Sequence, residues 1–325
     1  MATLVVTNGR SGVDSIRAAG VEGEIFSWDD VLHDGPVPGG YELPVLSELR
    51  ARYLASVDEM SFDKIKTAFE ARDAQLLGAR SFDELVLFFE HDLYDQLQLL
   101  QVLFLLHTDV SYSGHIAMAE PPTYIGYCKP EALMEAFGTR SQVDAACIDA
   151  GVKYWEAFTA ETPDKLGEML RYETPLLPHM QPALLRLAES YPNVDTGLSR
   201  TEQQILTILA DGPENAGILF RKNQEMEVAM FLGDASFMQR LSLLCSGNNP
   251  LVQVVSNGMG APSGASLVYP HILKQSFQIT AAGRSVLSGE MQRTNFIPVD
   301  RWIGGVHLSA AQVWYWHPEE FRFVG

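Results

Sequence analysis

Apolar residues in the first half of the chain come in short unbroken runs, separated by stretches that repeat every three to four residues. That is the pattern of strands alternating with helices. Leu4-Val5-Val6-Thr7 reads as a strand, Asn8-Gly9 as a turn, and Val13, Ile16 and Val21 as the apolar side of a helix ending near Arg17-Ala18-Ala19-Gly20. A second strand, Glu24-Ile25-Phe26-Ser27-Trp28, runs into Gly35-Pro36-Val37-Pro38-Gly39-Gly40, which can continue neither element and is a loop. Helices are predicted over 44–56 and 62–77. Glu84-Leu85-Val86-Leu87-Phe88-Phe89 is apolar throughout, as a strand covered on both faces would be. It leads into a helix over 93–106, with Leu93, Leu97, Leu100 and Phe104 on its core side. A strand over 115–119 and helices over 130–137, 142–159, 163–172 and 182–190 follow. The alternation predicts an α/β domain with a Rossmann-like parallel sheet and flanking helices, spanning 1–192 with its helical extension.

The pattern changes after Tyr191-Pro192-Asn193, and a second domain is expected over 198–325. Ser199 and Glu202 have capping-box spacing ahead of the stripe Ile205, Leu206 and Leu209. Helices over 216–224 and 234–245 come next. Strands over 251–256 and 277–280 then flank the glycine-rich Asn257-Gly258-Met259-Gly260. Three helices and a β-ribbon in this order resemble a winged helix-turn-helix of α+β type. The tail, with Trp302, Trp314 and Trp316, reads as short aromatic strands serving as core or interface.

Composition narrows the function classes. A chain of 325 residues, 46% hydrophobic and 20% charged, buries full cores and divides naturally into two domains. The opening Met1-Ala2-Thr3-Leu4-Val5-Val6-Thr7 lacks the basic start of a signal peptide. No apolar run approaches the roughly 20 residues that cross a bilayer. Cys128, Cys147 and Cys245 are odd in number and far apart, which speaks against a disulfide framework or a zinc site and fits a reducing cytoplasm. The net charge is -18, and residues 1–197 carry 31 acidic against 14 basic side chains, whereas 198–325 carry 10 against 9. The first domain therefore repels nucleic acid over its surface while leaving room for a small anionic ligand in a local pocket. The second domain lacks the basic face of a DNA reader; Gln239 and Arg240 are the polar groups that the helix at 234–245 offers to a groove, so a protein partner or a second copy fits it better.

Three polar segments fall at predicted strand ends, where ligands bind in parallel sheets. Asn8-Gly9-Arg10-Ser11-Gly12 opens a helix and either holds an anion on free N–H groups or is an ordinary tight turn. Asp29-Asp30-Val31-Leu32-His33-Asp34 stands before the rigid Gly35-Pro36 turn; His33 and Asp34 are candidate acid/base groups, and the carboxylates are equally apt as turn and helix caps. Glu90-His91-Asp92-Leu93-Tyr94-Asp95-Gln96 carries the strongest signal, because an apolar strand ends abruptly in polar side chains. Capping accounts for Asp92 and the helix dipole for Asp95, but neither needs Glu90 or His91. If the His33 loop lies over this segment, the two supply ligands to a divalent cation or a His–Asp acid/base pair. Neither a G-x-S-x-G elbow nor a phosphate loop of Walker type is present.

These residues resemble a bacterial family known as domain of unknown function 1835, often followed by a second C-terminal domain. The likeness rests on Thr7-Asn8-Gly9, Asp30-Val31-Leu32-His33-Asp34-Gly35-Pro36-Val37-Pro38 and His91-Asp92-Leu93-Tyr94-Asp95-Gln96-Leu97-Gln98-Leu99-Leu100. It extends to Gly197-Leu198-Ser199-Arg200-Thr201-Glu202, Leu232-Gly233-Asp234 and Gly304-Gly305-Val306-His307-Leu308. Where the family usually has His-Glu-Gly-Pro this chain has His33-Asp34-Gly35-Pro36, which keeps the carboxylate. The resemblance implies the architecture and the location of a site, and no reaction. The expectation is an enzyme acting on a phosphorylated or nucleotide-like small molecule, or else a ligand-sensing regulator whose second domain contacts a protein or DNA.

Overall fold

In the computed structural model, residues 2–57, 60–110, 112–171, 174–255, 267 and 271–325 are described. The glycine-rich segment Asn257-Gly258-Met259-Gly260 and the last residue of the strand expected over 251–256 lie outside them. The chain forms two compact units, Met1–Leu185 with Gly304–Val306, and Arg186–Ile303 with His307–Gly325.

The first unit is built on strands β1 (Thr3–Thr7), β2 (Glu24–Ser27), β4 (Glu84–Phe88), β5 (His115–Ala119) and β6 (Ser141–Gln142), in the spatial order β2-β1-β4-β5-β6. A two-residue strand, β3 (Gly35–Pro36), lies outside this sheet. The first four sheet strands are parallel, with Thr7 beside Ser27 and Phe88, and β6 runs antiparallel to β5. Every residue of β4 is buried, which explains its unbroken apolar run. One face of the sheet packs Val5, Ile25, Val86 and Phe88 against Val13 and Ile16 of α1 (Gly9–Ala18) and Leu133 of α5 (Pro130–Gly138). Each such side chain contributes about 1.5–3 kcal/mol by leaving water. Helices α2 (Leu43–Val57), α3 (Phe62–Leu77), α4 (Leu93–Thr108), α6 (Ala145–Phe158), α7 (Asp164–Met169) and α8 (Met180–Ala188) complete the helical set up to the second unit.

Two expectations shift. The helix predicted over 142–159 starts at Ala145, because Ser141–Gln142 pairs with β5 and the Asp144 side chain caps the helix by accepting from Cys147 N. Helix α4 is buried on nearly every side, Gln96, Gln98 and Gln101 included, while Phe104, expected in the core, is only half-buried.

The loop after β2 is held by arginines. Arg50 of α2 is fully buried; its Nη2 meets Asp30 Oδ1 at 2.8 Å and the Val31 carbonyl at 2.8 Å, and its Nη1 meets the Asp34 carbonyl at 2.7 Å. Arg72 of α3 donates to the Asp29 carbonyl at 2.8 Å, with its guanidinium 4.1 Å from the Trp28 ring centre. Gly35 has φ +79°, and a Cβ there would sit 2.4 Å from the Tyr53 ring, so neither backbone nor space admits another residue.

In the second unit α9 (Arg200–Ala210) carries the expected capping box, Ser199 accepting from Glu202 N, and buries Ile205, Leu206 and Leu209. Strands β7 (Glu214–Asn215), β8 (Val252–Val254) and β9 (Ser276–Ile279) form an antiparallel sheet in the order β7-β9-β8. The unit also holds α10 (Ala216–Glu225), α11 (Asp234–Leu244) and α12 (Ala281–Leu287). Strands β10 (Arg301–Gly304) and β11 (Val306–Leu308) follow, then β12 (Tyr315–His317) and β13 (Arg322–Val324), which pair Trp316 with Phe323. Arg240 is not offered outward as expected: it is buried and donates to the Ser236 carbonyl at 2.9 Å. The cysteines are free, and among the described residues no helix is long and apolar enough to cross a membrane.

Replacing Arg50 by Met leaves Asp30 charged, buried and unpaired. The expected cost is about 3–5 kcal/mol of stability, read as a lowered urea midpoint for the full chain.

Candidate functional site

Strand order reverses beside β1. The chain leaves β1 for β2 on one side and returns as β4 on the other, so the loops leaving Thr7 and Phe88 part at the same sheet end. A crevice outside the carboxyl ends of the strands is where such sheets bind ligands. Asn8 and Glu90 stand at the two lips.

Asp95, in the first turn of α4, joins them. Its Oδ1 accepts from Asn8 Nδ2 at 2.5 Å and its Oδ2 from Glu90 N at 2.5 Å, and the residue is wholly buried. Asp92 caps the same helix, its Oδ1 accepting from Tyr94 N at 2.8 Å and Asp95 N at 3.2 Å. Glu90 is pinned from two sides, since Oε1 accepts from Ile125 N at 2.6 Å and Gln96 Nε2 of α4 donates to its carbonyl at 2.6 Å. One carboxylate oxygen from each of Glu90, Asp92 and Asp95 lies within 4.8 Å of the other two, and all three residues are buried.

Burial raises all three acids, and neighbouring carboxylate charge adds to the rise at Asp92 and Asp95. Burial pushes Asp92 to about 7 against the pull of the Asp95 N–H, with the Glu90 charge adding to the rise. Asp95 goes well above the usual carboxylate range through burial and the charges of Asp92 and Glu90. Glu90 rises by burial, partly offset by the Ile125 N–H. No lysine or arginine is among the groups that shift them. Near neutral pH the cluster must hold protons or a cation.

The other predicted residues take different places. His33 is buried, its Nε2 lies 3.7 Å from Asp34 Oδ2, and its ring packs edge-on to Tyr94 with centroids 6.0 Å apart. The His33 loop therefore does reach the start of α4, at Tyr94. Tyr94 itself is pushed up by burial and by the charges of Asp29, Asp95 and Asp30. His91 packs elsewhere, 5.0 Å from the Tyr124 ring and 6.0 Å from the His179 ring, and burial and His179 lower its pKa. Gly9, Arg10, Ser11 and Gly12 form the first turn of α1, with Arg10 and Ser11 exposed. Asn8 occupies the N-cap position without capping the helix, and its Nδ2 donates to Asp95. A Cβ on Gly12 would come 2.8 Å from Asn8 Oδ1, so glycine is what lets Asn8 fold over the helix start. Sequence reasoning missed Ile125, whose contribution is a backbone N–H and leaves no side-chain signal, and Arg50, whose charge disguised a buried clamp.

No family model matches the chain, and no curated protein matches it. Among solved structures it is similar to the DNA-binding, cleavage and re-ligation domain of Plasmodium falciparum topoisomerase II, at 9% identity and a TM-score of 0.46 over 87% of this chain. The matched part spans about half, 48%, of that structure's length.

The Asp92 carboxyl ordinarily titrates at 3.8 and in the fold at about 7, so the folded chain holds its proton more tightly than the unfolded chain. Its contribution to stability is complete below the lower value and is lost as pH rises through the higher one. With chelator present, the melting temperature should fall between pH 6 and pH 8, and Asp92→Asn, which keeps a capping oxygen, should flatten that fall. An unchanged slope in the variant contradicts this.

Proposed function

We propose that the first unit is an enzyme that holds a divalent cation on Glu90, Asp92 and Asp95 and acts on a phosphorylated or nucleotide-like small molecule. The observation that carries this reading is the convergence of three buried carboxyls within 4.8 Å at the point where strand order reverses, with no basic side chain perturbing them. Each carboxylate has a structural partner, Asp92 at the α4 cap, Asp95 between the two loops and Glu90 on the Ile125 N–H, yet none of these partners is a counter-charge. A hard cation suits an all-oxygen donor set and neutralises charge that otherwise opposes folding. Such a cation typically shares its coordination with substrate phosphates.

The reading takes the parallel strands as a Rossmann-like core and the second unit as winged-helix-like. The start of α1 supplies the complementary anion site. Its first-turn N–H groups have no side-chain cap, and Arg10 is exposed beside them. Asp92, titrating at about 7, is placed to carry a proton near neutral pH. His33 and Asp34 lie on a loop clamped by Arg50 and packed on Tyr94, which suits a positioned acid/base pair.

Calorimetric titration with MnCl2 and MgCl2 tests the cation. The wild-type chain should bind one ion with release of protons, more tightly at pH 8 than at pH 6, because the cation competes with protons for the carboxyls. Asp95→Asn should abolish binding while circular dichroism stays native. Phosphate release from a panel of phosphomonoesters should require the cation and disappear in Asp92→Asn. Absence of binding by the wild-type chain, or equal binding by Asp95→Asn, overturns the proposal.

A further inference from the structure

The first unit contains a second cavity, of about 520 Å³, at the other end of α4. It opens between the loop at 38–41, the start of α2 and the C-terminal turns of α6. Gln101 in its wall is six residues beyond Asp95, about 9 Å further along the helix. The volume falls within the range of small-molecule sites, about 300–1,000 Å³.

The walls specify the kind of occupant. Phe104 supplies the aromatic face: it is half-buried and packs on the buried Trp155, with ring centroids 6.0 Å apart and planes inclined by 33°, and Trp155 is backed in turn by Phe158. Tyr41, 51% exposed, borders the same space from the loop. The uncharged polar side chains in the wall are Gln101, 1% exposed, and Thr159, whose hydroxyl donates to the Trp155 carbonyl at 2.9 Å. Gln101 Oε1 accepts from Trp28 Nε1 at 2.9 Å, so the orientation of the amide is set. The Nε2 group then presents its N–H donors on the cavity side of the helix.

Charge decides between neutral and anionic ligands. Asp109, Glu156 and Lys165 border the opening, two carboxylates against one ammonium. A phosphate at the mouth meets net repulsion, whereas ribose-like hydroxyls find acceptors there. An aromatic wall, a fixed amide donor and an acidic rim point to a flat, uncharged heterocycle with ring acceptors and a polyhydroxylated substituent.

We propose that this cavity binds a purine nucleoside, its ring stacked on Phe104 and a ring nitrogen accepting from Gln101 Nε2. The cavity is separate from the carboxylate cluster, and the proposal does not depend on a cation there.

Adenosine is the probe, followed by calorimetry and by tryptophan fluorescence of the full chain. Adenosine should bind saturably and quench tryptophan emission, AMP should bind more weakly, and chelator should leave the adenosine affinity unchanged. Gln101→Glu keeps an acceptor for Trp28 Nε1–H but removes the donor, and should weaken adenosine about tenfold, the loss of one hydrogen bond. Tyr41→Ala removes an exposed wall residue without touching the core and should also weaken binding, so the outcome does not rest on the fold tolerating a change at Gln101. No saturable binding of adenosine, equal affinity for AMP, or affinity unaltered in Tyr41→Ala overturns the proposal.

Discussion

Asp95 accepts one hydrogen bond from each side of the point where strand order reverses, from the Asn8 amide after β1 and from the Glu90 N–H after β4. The side chain is wholly enclosed, so these two bonds replace the water it gives up. Through them the start of α4 is locked to both strand ends, and Asp92 and Glu90 are carried into the same small volume. The cost is electrostatic. Three carboxyls share that volume; burial raises each, the Glu90 charge raises Asp92, and the charges of Asp92 and Glu90 raise Asp95. A structure that gathers carboxyls in this way is at ease with protons at low pH and, on the proposed reading, with a cation at neutral pH.

The surroundings hold that arrangement still. Arg50 ties Asp30 and the carbonyls of Val31 and Asp34 into one buried network, so the loop bearing His33 has a fixed course. The Ile125 N–H, from the segment after β5, fixes the Glu90 carboxylate from a third direction. Breaking a buried ion pair by removing one partner costs far more than deleting a surface one.

Much of this was legible in the sequence, for identifiable reasons. The unbroken apolar run of β4 followed by Glu90-His91-Asp92 marks a covered strand emptying into a polar loop, and Asp92 and the Ser199–Glu202 pair sit where helix starts need them. Periodicity also located most helices. It failed where burial is not amphipathic. Helix α4 is enclosed on nearly all sides, Gln96, Gln98 and Gln101 included, so its apolar stripe marks only part of the buried surface. Arg240 reads as a group offered to a groove, yet it is buried and donates to the Ser236 carbonyl, and Arg50 is buried on Asp30; partners in the backbone or distant in sequence leave no pattern. His91 adjoins Asp92 in the chain but packs on Tyr124 and His179, a separation that neighbouring letters cannot reveal. The cavity at Gln101 is assembled from several segments, and only the fold brings them together.

The central claim concerns where a cation sits. Crystals grown at pH 8 and soaked in MnCl2, with data collected at the manganese absorption edge, test it most directly. The account predicts a single strong anomalous peak among the carboxylates of Glu90, Asp92 and Asp95. Manganese bound elsewhere while those carboxylates keep their hydrogen bonds to Asn8, Tyr94 and Ile125 undisturbed would contradict it.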